Sequence, residues 1–268
     1  MSYLKVSPTA PNADGRVQCI TPESANWPHV GFELFHMQPG ATLSRMTEDK
    51  EICLVLVTGS ATVHAGEQSY QDIQSRDDIF SGAPAAVYIP NDSNFSVTAG
   101  ENLTLAVCSA PGKGTYPARL IQPQEMSKET RGEGANVRHV CNILPDTAEA
   151  DSLLVVEVIT PSGNSSSYPP HKHDVDNLPS ETQLEETYYH RINPPQGFAF
   201  QRVYTDDRSL DESMCIEDGD VVMVPRGYHP VVVPHGYDLY YLNVMAGPVR
   251  AWHFQNDPQH DWIVNPQT

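Results

Sequence analysis

Proline and glycine constrain this chain more than anything else in it: 23 prolines and 17 glycines punctuate 268 residues. Proline removes a backbone N–H and breaks a helix interior, and clusters of proline and glycine mark turns. Long helices are therefore excluded, and short strands joined by many turns are expected. The apolar runs agree. The longest, Ile52-Cys53-Leu54-Val55-Leu56-Val57, has the length of a buried strand and falls far short of a membrane span. Shorter apolar stretches at 30–36, 86–90, 95–99 and 103–108 are separated by turn signals such as Gly59-Ser60 and Gly66-Glu67. This pattern predicts an all-β protein built as sandwiches or barrels.

Residues 1–28 carry Pro8, Pro11, Pro22 and Pro28 and read as an irregular arm. Residues 111–134 are rich in proline, glycine and charge and read as a linker, with a short helix expected over 125–131. The resulting division is an N-terminal barrel over 1–115, a linker over 116–135 and a C-terminal barrel over 136–268. The halves echo each other weakly. Glu51, a strand and Gly59 parallel Glu186, a strand and Gly197, and 86–90 with its turn parallels 221–227. Where the second half has a histidine pair, the first has Ser44-Arg45-Met46-Thr47. Only the second half is therefore expected to hold a metal, with His36 and His64 as structural or surface histidines.

The formal net charge is −18. So acidic a chain is a poor partner for nucleic acid or an anionic membrane, and an anionic ligand would need local positive charge. Cysteines 19, 53, 108, 141 and 215 are odd in number and lack a Cys-x-x-Cys spacing, which predicts free thiols in a reducing compartment. The opening Met1-Ser2-Tyr3-Leu4-Lys5 has no apolar stretch, so a cytoplasmic location is expected. Assembly into a homo-oligomer is left open.

The chemistry concentrates in the second half. His171 and His173 stand two apart, so in a strand they share a face. Glu181, Glu185 and Glu186 follow, and His229 comes just after the Pro225-Arg226-Gly227 turn. Two close histidines, a carboxylate and a distant third histidine suit a borderline divalent ion: zinc, manganese, iron or nickel. His190 shares strand parity with Glu186 and Tyr188, which makes it a candidate base. Phe198, Phe200, Arg202 and Tyr204 share one strand face. On that face Arg202 reads either as an inward clamp for a carboxylate or as a rim residue. Arg250 has the same two readings. Tyr241, Asn243 and Met245 share a face of a later strand, Tyr240 and Leu242 the other, and parity alone does not say which lines a cavity.

The two clusters resemble the signature motifs of the cupin superfamily. Gly163, His171, His173, Glu186 and Gly197 match the first, and Gly219, Pro225, Gly227 and His229 the second. The gap from His173 to Glu186 is longer than usual and must hold a loop over 175–183, and the gap from Gly227 to His229 is one residue short. Among the three glutamates the resemblance selects Glu186, which precedes a short residue and an aromatic pair. Longer runs are similar to the 5-deoxy-glucuronate isomerase family of myo-inositol catabolism. They are 168–174 with 185–189, 198–207, and 220–247, with Arg131-Gly132-Glu133-Gly134, Arg138 and Asn142-Ile143-Leu144 before them.

That resemblance implies a bicupin of two jelly-roll barrels. It also implies isomerisation of 5-deoxy-glucuronate to 5-dehydro-2-deoxy-gluconate at one divalent ion, expected to be zinc, held by His171, His173, Glu186 and His229. A small sugar acid is then the expected partner, with Arg202, Arg250 and Tyr241 as candidate contacts and His190 as candidate base. The ion would bind the carbonyl and adjacent hydroxyl while a base shuttles the proton. A metal-dependent dioxygenase and a non-catalytic sugar-acid binding protein are the competing readings on the same scaffold.

Overall fold

The computed structural model describes residues 2–264. Among them, regular structure is almost entirely β. The exceptions are the four-residue helix Pro22–Ala25 and two 3-10 turns, Gly134–Asn136 and Asp261–Ile263. No helix among the described residues is long and apolar enough to cross a membrane. All five cysteines are free. The chain divides into two compact units.

The first unit comprises Pro8–Ser127 and Cys141–Val156. A six-stranded sheet runs in the order Arg119–Ile121, Ala85–Ile89, Lys50–Thr58, Leu103–Pro111, Gly31–Met37, Arg16–Ile20. A four-stranded sheet runs Thr42–Met46, Asn94–Ala99, Ser60–Ala65, Gln68–Gln74. Their facing sides close a single core that includes Phe35, Leu54, Leu56, Val63, Val87, Phe95, Val97 and Leu105. The strand Lys50–Thr58 is buried from Glu51 to Val57, as its unbroken apolar run requires. At its start the buried Glu51 carboxylate accepts from Tyr88 Oη at 2.6 Å. It also accepts from the backbone N–H groups of Asp151, Ser152 and Leu153 at 2.7, 2.6 and 2.5 Å. The position that echoes Glu186 is thus fully occupied with structural hydrogen bonds.

The second unit comprises Met1–Ser7, Lys128–Val140 and Glu157–Thr268. The strands around its site lie side by side in the order Lys5–Val6, Val221–Val224, Glu185–Asn193, Asp238–Ala246. A smaller sheet runs Ser165–Ser166, Val231–Val232, Phe198–Tyr204, Asp211–Glu217, and His171–Lys172 pairs separately with Gln255–Asn256. The strand Glu185–Asn193 lies between two antiparallel neighbours, which set Glu186 opposite Val224 on one side and Met245 on the other.

Four expectations are corrected. The opening residues are not an irregular arm throughout: Lys5–Val6 pairs with Val222 and Val221, and Arg16–Ile20 pairs with Gly31–Met37. Residues 116–135 are not a structureless linker, since Arg119–Ile121 adds to Ala85–Ile89. Residues 127–131 form a strand rather than a helix, because an available sheet edge outweighs the mild helix preference of Lys128 and Glu129. The unit boundaries also depart from 1–115 and 136–268. Residues 1–7 join the second unit by strand pairing, and 141–156 join the first, where 151–153 serve Glu51.

Candidate metal centre

The second unit brings His171, His173 and His229 together so that one ring nitrogen from each lies within 4.8 Å of the others. Two pieces of chain supply them, 171–173 and the turn ending at His229. His171 is fixed by the short pairing of His171–Lys172 with Gln255–Asn256. His173 is buried, and its Nδ1 lies 3.1 Å from the His253 carbonyl. His229 is fully buried, and its Nδ1 lies 2.9 Å from the Gly227 carbonyl. Donation from Nδ1 to these carbonyls leaves Nε2 of both rings as the free lone pair, the arrangement by which a ligand histidine is oriented.

The turn that delivers His229 depends on Gly227. Its φ is +93°, and a Cβ there would lie 2.5 Å from the Tyr204 carbonyl oxygen. Its N–H donates to Asp174 Oδ1 at 2.6 Å, tying the turn to the loop that follows His173.

Glu186 completes the group. Its Oε1 lies 3.3 Å from His173 Nε2 and 3.6 Å from His229 Nε2, while Oε2 accepts from Asn243 Nδ2 at 3.0 Å. Glu186 Oε1 and His229 Nε2 are both buried and have no hydrogen-bond partner. An unpaired buried carboxylate oxygen facing unpaired imidazole nitrogens is costly unless something positive lies between them. Donors bound to one ion at about 2.1 Å stand roughly 3 to 3.5 Å apart, so the residues present fit a divalent cation. Burial, with the neighbouring His229 and His173, pulls the His171 imidazole well below its usual range, and burial likewise lowers His173. Both rings are therefore neutral at pH 7, the form that ligates. The rival glutamates are used elsewhere. Glu181 Oε1 accepts from the N–H of Asp174 at 2.6 Å and of Val175 at 3.3 Å, and Glu185 lies one residue off Glu186 in strand parity.

A hydroxyl-bearing wall adjoins the group. The Tyr188 ring is 5.7 Å from His229 and 4.9 Å from Tyr241. Tyr241 Oη is 2.5 Å from Ser166 Oγ, and Tyr188 Oη is 3.3 Å from Ser167 Oγ. Burial raises the pKa of both phenols, so they keep their protons. The face of Asp238–Ala246 left undecided by parity is thereby resolved, with Tyr241 and Asn243 on the side of the histidines. Tyr240, on the opposite face, donates to Glu157 Oε2 at 3.0 Å. Phe254, 4.5 Å from the His171 ring and 42% exposed, forms a rim over the group. Nothing in the sequence marked Phe254 or the His253 carbonyl, because both arrive on a C-terminal segment without strand periodicity.

Two sequence-predicted residues lie elsewhere. Arg202 does not point inward: it is exposed, and its Nε and Nη2 fork onto Asp211 at 2.8 and 2.7 Å. Phe198 and Phe200 share that outer face, with Phe198 packed on both Phe200 and Tyr237. The inward side chains of this strand are Ala199, Gln201 and Val203, small or flexible enough for an interior already holding Tyr188, His190 and Tyr241. His190 is fully buried but sits four residues past Glu186, about 13 Å along the strand at 3.3 Å per residue. Its Nε2 lies 3.0 Å from Gln201 Oε1, and Gln201 Nε2 reaches the His229 carbonyl at 3.5 Å. Burial lowers its pKa to about 4. Arg250 is half-buried, four residues beyond the strand Asp238–Ala246.

The chain is similar to known proteins in sequence and in structure. A 5-deoxy-glucuronate isomerase of Geobacillus thermodenitrificans is 57% identical over 98% of this chain and 97% of its own length. The protein of that name from Bacillus subtilis strain 168 is 48% identical over 98% and 99%. The crystal structure of an IolB-like protein from Salmonella typhimurium LT2 superposes with a TM-score of 0.94 at 52% identity, covering 97% of this chain and 99% of that one. An oxalate decarboxylase of Lactobacillus farciminis, 13% identical, superposes with a TM-score of 0.70 over 100% and 91%. At that identity it speaks for the fold alone, a cupin-type arrangement of β-barrels. The KduI/IolB family model matches residues 4–263, and with this extent of agreement in sequence and structure the chain belongs to the KduI/IolB family.

Proposed function

We propose that this protein is a metal-dependent aldose–ketose isomerase that converts 5-deoxy-glucuronate to 5-dehydro-2-deoxy-gluconate in inositol catabolism. Its centre is His171, His173, Glu186 and His229. The observation that carries the reading is the convergence of three histidines and an unpaired carboxylate oxygen in the second unit. It stands in a chain whose close relatives bear that enzyme's name.

Substrate and product are isomers, so the reaction needs no oxidant, reductant or second substrate. A divalent ion in the centre would supply Lewis acidity toward a carbonyl oxygen. Zinc suits three neutral imidazoles and a carboxylate, and manganese, iron and nickel accept the same donors. The chain's own residues do the rest. Asn243 holds the Glu186 carboxylate by Oε2, keeping Oε1 turned to the histidines. Tyr188 and Tyr241, which retain their protons, present phenol O–H groups beside the centre as donors to substrate hydroxyl or carbonyl oxygens. Ser166 and Ser167 fix the direction of those phenols. His190, neutral and remote from Glu186, is a positioning group that orients Gln201.

The test is anaerobic incubation of metal-loaded protein with 5-deoxy-glucuronate, followed by NMR. Loss of the aldehyde signal with gain of a ketone supports the reading. Turnover that requires oxygen replaces it with dioxygenase chemistry, and binding without turnover makes the protein a sugar-acid binder. Elemental analysis identifies the ion, and His171→Ala and His229→Ala should each lose it while remaining folded. Full metal occupancy in both variants would remove the proposed ligand set.

A further inference from the structure

A sugar acid brings a carboxylate into a chain of net charge −18, and some cation must receive it. In the second unit Arg131, Arg191 and Arg202 are each paired with a carboxylate, Glu129, Asp218 and Asp211 respectively. Arg208 and Arg226 are exposed, lying against the Tyr204 ring and Ser209 Oγ. Arg138 is different. It is half-buried, and among the described residues no carboxylate lies within ion-pair distance of it. Its guanidinium makes one hydrogen bond, Nη1 to the Asn136 carbonyl at 3.0 Å. A guanidinium has five N–H donors, so most of this one's capacity is unspent.

Its placement is fixed. The turn before it is pinned by Val137 N–H to Asn164 Oδ1 and by Asn136 Nδ2 to the Tyr168 carbonyl, both at 3.0 Å. The stretch 164–168 carries the two serines that hold Tyr188 and Tyr241 and then leads into His171. The Arg138 charge is felt at Tyr241, whose phenol adjoins the centre. Space for the guanidinium depends on Gly132, where a Cβ would stand 2.7 Å from Nη1.

We propose that Arg138 binds the carboxylate of the sugar-acid substrate, setting which end of the molecule faces the histidine centre. The substrate class rests on the isomerase reading above. A planar guanidinium with spare parallel donors is suited to a bidentate carboxylate, and its partial burial keeps that interaction from being screened by salt. It takes the place that strand parity had suggested for Arg202.

The experiment compares wild type, Arg138→Lys and Arg138→Gln, all metal-loaded. D-glucuronate and D-glucose serve as charged and uncharged probes in calorimetric or NMR titrations. Wild type should favour glucuronate. Arg138→Gln should lose at least tenfold of that preference with metal content unchanged, and Arg138→Lys should retain part of it. With 5-deoxy-glucuronate the loss should fall on KM more than on kcat. If wild type shows no preference, or if Arg138→Gln keeps it, Arg138 is not the carboxylate site. If glucose and glucuronate weaken equally, its role is structural. Absence of turnover in wild type would remove the isomerase reading, while the two-probe comparison still decides the role of Arg138.

Discussion

Asn243 shows how one side chain that touches no substrate governs the centre. It satisfies Glu186 Oε2 and also reaches the Thr187 carbonyl at 3.3 Å, so the carboxylate cannot rotate away from the imidazoles. Groups that orient a metal ligand typically contribute 10–100-fold in affinity. Asn243→Leu should therefore weaken metal binding by at least about tenfold in a chelator competition, and unchanged affinity would show that Glu186 is held by its strand alone. His190 gives a pH signature. Burial lowers its folded pKa to about 4, against about 6.5 when unfolded. Between these values the unfolded chain binds the extra proton, so stability is fully present above pH 6.5 and is lost as pH falls toward 4. The full effect is on the order of 3 kcal/mol at 1.36 kcal/mol per pH unit. Urea unfolding of the metal-free protein should show this acid loss shrinking in His190→Gln. An identical pH dependence in the two proteins would mean that His190 opens to water.

At the scale of elements, the centre is a junction of one strand and two turns. Glu185–Asn193 supplies Glu186 from a position braced on both sides, and the two turns bring histidines to it. The Gly227 turn is the vulnerable part, since its left-handed backbone and the nearby Tyr204 carbonyl exclude a side chain. Gly227→Ala should destabilise the second unit by about 1–3 kcal/mol. Because His229 is two residues on, it should also release metal at chelator concentrations that wild type withstands. A variant with wild-type stability and metal content would show that the turn can shift without moving His229. The strand Phe198–Tyr204 teaches the complementary point. An aromatic face is not necessarily an inner one, because Phe198 packs on Phe200 and Tyr237 on the outside.

Across the whole molecule, the two units repeat a strand plan with different outcomes at its equivalent acids. Glu186 faces histidines, whereas Glu51 receives four hydrogen bonds, three of them from backbone groups 100 to 102 residues away in the chain. Glu51→Ala would leave those N–H groups and the Tyr88 hydroxyl without their acceptor at a buried site. At about 1–3 kcal/mol for each buried group left unsatisfied, the first unit should lose at least about 3 kcal/mol in urea unfolding, with the metal centre's occupancy retained. A loss under about 1 kcal/mol would mean that water replaces the carboxylate.

The sequence by itself determined the all-β class through its proline and glycine spacing and its strand-length apolar runs, because both act within a few residues. Motif resemblance went further and selected the ligand set His171, His173, Glu186 and His229. Tertiary structure alone decided what depends on partners remote in sequence. Parity offered two faces for Phe198–Tyr204 and two for Asp238–Ala246, and only packing chose between them: Gln201 inward and Arg202 onto Asp211, Tyr241 and Asn243 toward the histidines. Chain order suggested a boundary near residue 115, but strand pairing carried residues 1–7 into the second unit. Arg138 stood in a stretch noted only for likeness to a family. Its unspent donors became visible once every other charge in the second unit had a position, since an absent ion pair is a property of space and not of spacing.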